Sequence, residues 1–484
     1  MSILSEDLRP MSKKTRPWWP RPGAGAFLAV ATVCALAAAV TACGTLPDTR
    51  FLSGRYEKQE ANFQTAWGPL SQKKSAALVA RLQAASGDLD ILDRQTVLEQ
   101  QIGGSPLVLG NQVTLLEDGP ATYASMFAAI RSAQKRILVE SYIFEDGEIG
   151  RTFAELLAQR QAAGVQVRII YDSVGTFGTA QAFFDTLKAA GVEIVEFNPV
   201  NPLAAKDKAW APNHRDHRKL MIIDGETAFL GGINISSVYS SGSSMRTRRA
   251  ASPPVGWRDT DVRIEGPVVA DFEALFETTW ARQKGQPAPP PVSAAQRTQP
   301  RGSDVVRAIG STPDDAYSLI YLTLISAIAN AERRVYITNA YFVPDPQLVK
   351  ALLDAAARGV DVRMVLPGQS DSPAAFHAGR SHYAQLLEGG VKIYERRGPP
   401  LHAKAAVVDG VWSCVGSSNL DWRSALDNDE VNAVVIGREF AGRMESAYAR
   451  DIAASDALSA ESWRHHPTRS RIKEWGARLL GPLL

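Results

Sequence analysis

Cysteine is scarce, with three in 484 residues. Cys34 and Cys43 lie close together near the start, which leaves Cys414 as the only thiol in the body of the chain. A disulfide framework is therefore excluded. Seven histidines, with no Cys/His ligand spacing, leave little for a structural metal cage. Excess charge is just as scarce: 53 basic side chains face 51 acidic ones, for a net charge of +2. That balance argues against a protein held to nucleic acid by bulk attraction. There is one long apolar run, from Gly23 to Ala42. The remainder has the composition of an ordinary globular protein, long enough for two large domains or one pseudo-symmetric pair.

Arg9, Lys13, Lys14, Arg16 and Arg21 precede the apolar run, which ends "VTAC" at Cys43. A basic segment, an apolar segment and small residues before a break make a secretory signal. The tetrapeptide resembles the lipobox of bacterial lipoproteins. The resemblance implies that Cys43 is lipidated and that the body sits in the cell envelope, lipid-anchored and facing the periplasm at the inner or outer membrane. A single uncleaved span is the alternative, since the run is about long enough to cross a bilayer. Either reading places the body beside a membrane.

The pattern divides the chain into a signal segment (1–43), a spacer with helices (44–110), a first half (111–283), a Pro-rich connector (284–303) and a second half (304–484). "YASMFAAIRSAQKRILVESYIF" and "TFAELLAQRQAAGVQVRIIYDS" in the first half correspond to "SLIYLTLISAIANAERRVYITNAYF" and "LVKALLDAAARGVDVRMVLPGQ" in the second. Each half reads helix, buried strand, helix, buried strand, with Gly164 and Gly359 as C-caps. The strands are continuous apolar runs, as in a sheet covered by helices on both faces. Another strand and helix follow in each: "TDVRIEGPVVADFEALFETTW" and "EVNAVVIGREFAGRMESAY". The chain contains an internal duplication of roughly 180 residues.

Within it, "HRKLMIIDGETAFLGGIN" from His217 is matched by "HAKAAVVDGVWSCVGSSN" from His402. Alternate residues of a strand share a face, so His217 points with Lys219 and His402 with Lys404. Gly231-Gly232 and Gly416-Ser417 allow close backbone approach to a bound group, and Asn234 and Asn419 add amide donors. Two such halves face to face make a site for one phosphoryl group. The lysines neutralise non-bridging oxygens, one histidine attacks phosphorus, and the other protonates the leaving alcohol. No metal or other cofactor is called for. Asp224 and Asp409 fall on the opposite strand parity, at an Asp-Gly turn, which favours a turn-stabilising role. Asp259 and Glu430 align when Gly266 is set against Gly437, and are the candidates for orienting the imidazoles.

The doubled H-x-K-x4-D with G-[GS]-x-N resembles the phospholipase D superfamily from about Val113 onward. "NHRDHRKLMIIDG", "GWRDTDVRIEGPVV", "ITNAYFVPD", "LHAKAAVVDG" and "GSSNLDWRSALDNDEVN" are similar to bacterial cardiolipin synthases. The resemblance implies an α/β fold of two pseudo-symmetric halves, each a mixed β-sheet flanked by helices, with the active site at their interface. It implies a phosphatidyl-histidine intermediate and a catalytic set of His217, Lys219, Asp224, His402, Lys404 and Asp409, with His217 favoured as nucleophile. Asn234, Asn419, Gly232 and Ser417 would hold phosphate. The expected activity is phosphatidyl transfer from phosphatidylglycerol, the partner a membrane phospholipid, and the state a monomer, because both half-sites lie on one chain. Phospholipid hydrolysis, a periplasmic nuclease and a degenerate lipid-binding lipoprotein are the alternatives. No nucleic-acid partner is expected. In "RIKEWGARLLGPLL", Ile472, Trp475, Leu479 and Leu480 form one helical stripe, for which packing on the core is the default and membrane contact the alternative.

Overall fold

The computed structural model describes residues 61–86, 91–102, 104–201, 211–241 and 256–484. Cys43, the apolar run before it and the basic stretch from Arg246 to Arg249 lie outside the described residues. Among the described residues, no helix is long and apolar enough to cross a membrane.

Both repeat units fold in the order their periodicity predicts. The first runs through helix Asp118–Ser132, strand Arg136–Ser141, helix Glu148–Ala162 and strand Gln166–Asp172. The second runs through helix Leu319–Asn330, strand Arg334–Asn339, helix Pro346–Ala357 and strand Asp361–Pro367. Gly164 and Gly359 follow the second helices with φ of +89° and +88°, a conformation that favours glycine.

The sheet of the first half has the order Glu193–Phe197, Gln166–Asp172, Arg136–Ser141, Lys219–Ile223, Thr227–Gly231, Thr260–Glu265 and Leu107–Glu117. The first three strands are parallel and the rest antiparallel. The second half repeats this with Lys392–Arg396, Asp361–Pro367, Arg334–Asn339, Lys404–Val408, Trp412–Gly416, Asn428–Ile436 and Asp304–Ser311. The register repeats too: Lys219 lies opposite Ser141, and Lys404 opposite Asn339. Both motif strands therefore begin at the end of the sheet where the parallel strands finish.

Two features depart from the sequence reading. Leu107–Glu117 is one strand across the expected boundary at 110/111. Its Gln112–Glu117 part pairs with Thr260–Glu265, and its Val108–Asn111 part pairs with Asp304–Ser311. Gly110, φ +107°, is the residue skipped where the register of the second pairing shifts between Asp304 and Val305, and it bends the shared strand. The described part of the expected spacer also belongs to the second half. Phe63–Thr65 pairs with Leu107 and Val108, and Phe63, Leu78, Ile91 and Leu98 are buried in one core with Ile320, Leu348 and Val434. Helix Leu319–Asn330 is apolar almost all round, so it needs cover on its outer side, and helix Ile91–Ile102 supplies it.

Candidate active site

His217 and His402 each stand two residues before a buried lysine at the head of a motif strand. Strand parity brings imidazole and ammonium to one face. Lys219 Nζ donates to His217 O at 2.6 Å, and Lys404 Nζ to His402 O at 2.5 Å. Tyr142 stands edge-on to His217 with ring centroids 5.1 Å apart, and Lys219 Nζ lies 5.2 Å from the Tyr142 ring. Tyr341 repeats the arrangement beside His402 (6.0 Å) and Lys404 (5.8 Å).

The carboxylates are exchanged between the halves. His217 Nδ1 lies 3.0 Å from Glu430 Oε1 of the second half, and His402 Nδ1 lies 2.8 Å from Asp259 Oδ2 of the first. The backbone explains the exchange. Arg215–Asp216 pairs in parallel with Asn428–Asp429, so His217 N donates to Asp429 O at 2.9 Å. Arg258 bridges to Leu401, so His402 N donates to Arg258 O at 2.7 Å. Each histidine is thus laid beside the residue preceding the partner half's carboxylate. A carboxylate on Nδ1 holds the proton there and leaves the Nε2 lone pair free.

Burial pushes both imidazoles down to about 4; the neighbouring lysines add to this, and Glu430 and Asp259 oppose it. Burial also pushes Lys219 down to about 7 and Lys404 to about 8. Burial pushes the two carboxyls the other way, but the facing imidazoles and lysines outweigh it and hold Asp259 and Glu430 below the usual carboxylate range. With both imidazoles neutral, Lys219 and Lys404 are balanced by Glu430 and Asp259, so protonating one histidine in this site shielded from water calls for one further anion. A phosphodiester supplies it.

Several residues grouped with this site do other work. Asp224 and Asp409 lie about 16 Å along the strand from the lysines. Asp224 accepts the backbone N–H groups of Gln134, Lys135 and Arg136 at 2.7 to 2.9 Å. Asp409 accepts those of Glu332, Arg333 and Arg334 at 2.7 to 2.8 Å. They clasp the neighbouring strand rather than take part in the chemistry. Gly232 and Ser417 back the carboxylates rather than a phosphate. A Cβ on Gly232 would fall 2.2 Å from Asp259 Oδ1, and Ser417 Oγ donates to Glu430 Oε2. Gly231 and Gly416 make room in the same way for Asp261 and Asn432. Asn234 is buried, with Oδ1 accepting from Ile143 N at 3.1 Å and Nδ2 lying 3.4 Å from the Tyr239 hydroxyl. Asn419 borders, with Lys404, a cavity of about 40 Å³ in the second half, and its Oδ1 has no hydrogen-bond partner.

The sequence reading missed Tyr239, whose hydroxyl lies 3.1 Å from His402 Nδ1, and Trp257, 5.6 Å from the same ring. It also missed Ser424, which donates to Glu430 Oε1 at 2.8 Å. Tyr239 and Ser424 fall at equivalent positions of the two repeats, 185 residues apart, but differ in residue type, so matching identical residues between the copies gave no signal for them.

Fold and site define a phospholipase D-type protein: duplicated α/β halves with paired His-x-Lys strands at their junction. The family described as "Cardiolipin synthase, PLD-like domain" matches residues 126–244 and 324–452, and the chain belongs to it. It is 33% identical over 431 residues to a cardiolipin synthase of Geobacillus kaustophilus, covering 89% of this chain and 83% of that one. It is 31% identical over 436 residues to cardiolipin synthase A of Pseudomonas fluorescens, covering 88% and 84%. Among solved structures, phosphatidylserine synthase of Haemophilus influenzae shares the fold, with a TM-score of 0.62 and 13% identity over 81% of this chain and all of that one.

Proposed function

We propose that the protein is a cardiolipin-synthase-like phosphatidyltransferase. The observation that carries this reading is the pair of buried imidazoles, each with Nδ1 on a carboxylate from the opposite half and each beside a buried lysine. His217 Nε2 attacks the phosphorus of phosphatidylglycerol while His402 protonates the departing glycerol oxygen, leaving phosphatidyl-His217. His402 then takes the proton from a primary hydroxyl of a second phosphatidylglycerol. That oxygen attacks phosphorus and frees His217, so the products are cardiolipin and glycerol. Lys219 and Lys404 face the charge on the non-bridging oxygens.

Asymmetry between the carboxylates supports this division of roles. Glu430 accepts from the hydroxyls of both Ser417 and Ser424, which spreads its charge. Asp259 accepts from Thr260 N and faces His402, so it retains more charge to support an imidazolium. The test uses purified protein with labelled phosphatidylglycerol and products resolved by mass. Cardiolipin plus glycerol is expected, with the phosphoryl group trapped on His217 after quench in a mildly alkaline denaturant, because acid cleaves a phosphorus–nitrogen bond. Phosphatidic acid alone would make the protein a hydrolase, and a trapped group on His402 would reverse the roles.

The anchor belongs to the same proposal. Cys43, at the end of its lipobox-like run, carries the acyl chains and holds the body at the periplasmic face of a membrane. Acyl labelling with intact-mass analysis checks it: the expected chain starts at Cys43 and bears lipid, and an unlipidated chain starting at Met1 refutes the anchor.

A further inference from the structure

The helix Thr468–Arg478 is turned inside out. Its buried side consists of Glu474 and Ala477, with Ser470 half-buried beside them and Gly481 following. Glu474 is held by His466 at 2.9 Å and Arg380 at 3.5 Å, and Ala477 packs with Val343, Ala375 and Ala378. At about 100° per residue, Ile472, Trp475 and Leu479 lie on the opposite side. They are 66%, 70% and 67% exposed, and Leu480 and Leu483 beyond them are 44% and 37% exposed. A core-packing helix would show the reverse, so the default reading of this stripe does not hold.

The flanks of the stripe are basic. Arg469 and Lys473 border it on one side and Arg471 and Arg478 on the other, all exposed. The one acid of the helix, Glu474, is the residue buried against the body. An apolar stripe with a tryptophan, edged by cations and cleared of exposed carboxylates, has the pattern of a helix lying in the plane of an anionic lipid surface.

Its placement ties it to the site. The small cluster that seats Ala477 includes Tyr341 and Trp422, and Tyr341 is the ring beside His402. Leu484 O accepts from Arg423 N, in the short helix whose Ser424 braces Glu430. The first half contributes a second apolar tip at the same end of its sheet. Phe177, 86% exposed, follows strand Gln166–Asp172 on a turn whose Gly175 packs on Tyr142, the ring beside His217.

We propose that Ile472, Trp475 and Leu479, with Leu480 and Leu483, dock the protein on a bilayer bearing anionic headgroups, with the basic flanks choosing that surface. The surface rests on exposure and charge; its bearing on turnover rests on the phosphatidyl-transfer reading.

The test uses the full chain with vesicles of phosphatidylcholine, with and without phosphatidylglycerol. The first measurement needs no turnover. Lipids brominated in the upper acyl chain should quench Trp475, so wild type should lose more fluorescence on phosphatidylglycerol vesicles than Trp475→Phe does. Equal quenching of the two proteins overturns the proposal. The second measurement compares turnover of vesicle lipid with turnover of dispersed short-chain lipid. Ile472→Ser/Trp475→Ser/Leu479→Ser should lose at least tenfold on vesicles and stay within twofold on dispersed substrate. An equal loss on both, or no loss, overturns it. Replacing Arg471, Lys473 and Arg478 by Gln should weaken vesicle binding roughly fivefold per charge at low salt, and only where phosphatidylglycerol is present. Should no turnover be found in any protein, the quenching comparison still decides the docking surface. A smaller particle for the triple Ser variant in sedimentation, with unchanged quenching, would assign the stripe to a second copy of the chain instead.

Discussion

His217 and His402 are held neutral in the free site because burial and the neighbouring lysines act against the charge that Glu430 and Asp259 favour. Chemistry needs one of them protonated. The phosphodiester anion corrects this by adding negative charge beside the lysines, so the proton is better held once substrate is bound. The pH profile of kcat should therefore be centred at higher pH than that of kcat/KM, because the first reports the complex and the second the free enzyme. Steady-state rates from pH 4 to 9 test this, and coincident profiles would contradict it. On the alkaline side kcat/KM should fall as pH rises through about 7 to 8, where Lys219 and Lys404 of the free enzyme lose their protons, and kcat should fall only at higher pH, because the bound anion holds those protons. Stability has the matching sign. The unfolded chain protonates these histidines below about 6.5 while the folded site resists until about 4, so stability is lost as pH falls through that interval. Alanine at His217 or His402 should each cost several orders of magnitude in kcat. The double variant should be hardly worse, since the two act as a unit.

Asp224 and Asp409 illustrate what a motif residue does at the scale of an element. Both adopt a left-handed conformation, φ +55° and +54°, at an Asp-Gly turn. From there each carboxylate collects three N–H groups where a parallel strand begins. Asp409→Ala should cost on the order of 2–3 kcal/mol in urea unfolding, because a buried acceptor for three donors is lost. Asp224→Ala should cost somewhat less, since its corner is more open to water. Dispersed-substrate kcat should fall far less than in the histidine variants. A kcat loss as large as theirs, at unchanged stability, would return the aspartates to the catalytic set.

At the scale of the molecule the halves are joined through their catalytic strands. Arg258, from the first half, donates from Nε and Nη2 to the two carboxylate oxygens of Asp451 in the second, both at 2.9 Å, and all of these groups are buried. Asp429 of the second half takes His214 at 2.7 Å and also Arg282, both from the first half. The backbone of Arg258 and Asp429 is what receives His402 N and His217 N. Asp451→Ala leaves Arg258 and Arg396 buried without their shared carboxylate, and should cost about 3–5 kcal/mol by equilibrium unfolding. It should also lower activity, although helix Arg438–Ala453 contributes nothing to the phosphate site. Unchanged stability would show that the halves are held together elsewhere.

The sequence by itself determined the duplication, the order of helices and strands in each copy, and the His-x-Lys face of each motif strand. These follow from short-range rules: apolar periodicity, alternation along a strand, and glycine at the ends of helices. It also singled out Asp259 and Glu430, because a duplicated chain can be aligned to itself. Only the tertiary structure decided that each carboxylate serves the histidine of the other half. Only it revealed that Gly232 and Ser417 back those carboxylates, that one strand through Gly110 serves both sheets, and that Ile472, Trp475 and Leu479 face outward. Each of these depends on which surfaces meet when the halves pack. A helical stripe reads the same whether it meets a core or a solvent boundary, and a strand's parity fixes a face without fixing what stands opposite. Contacts between residues more than two hundred positions apart, such as His217 and Glu430, are set by chain packing in three dimensions, which local side-chain preference does not encode.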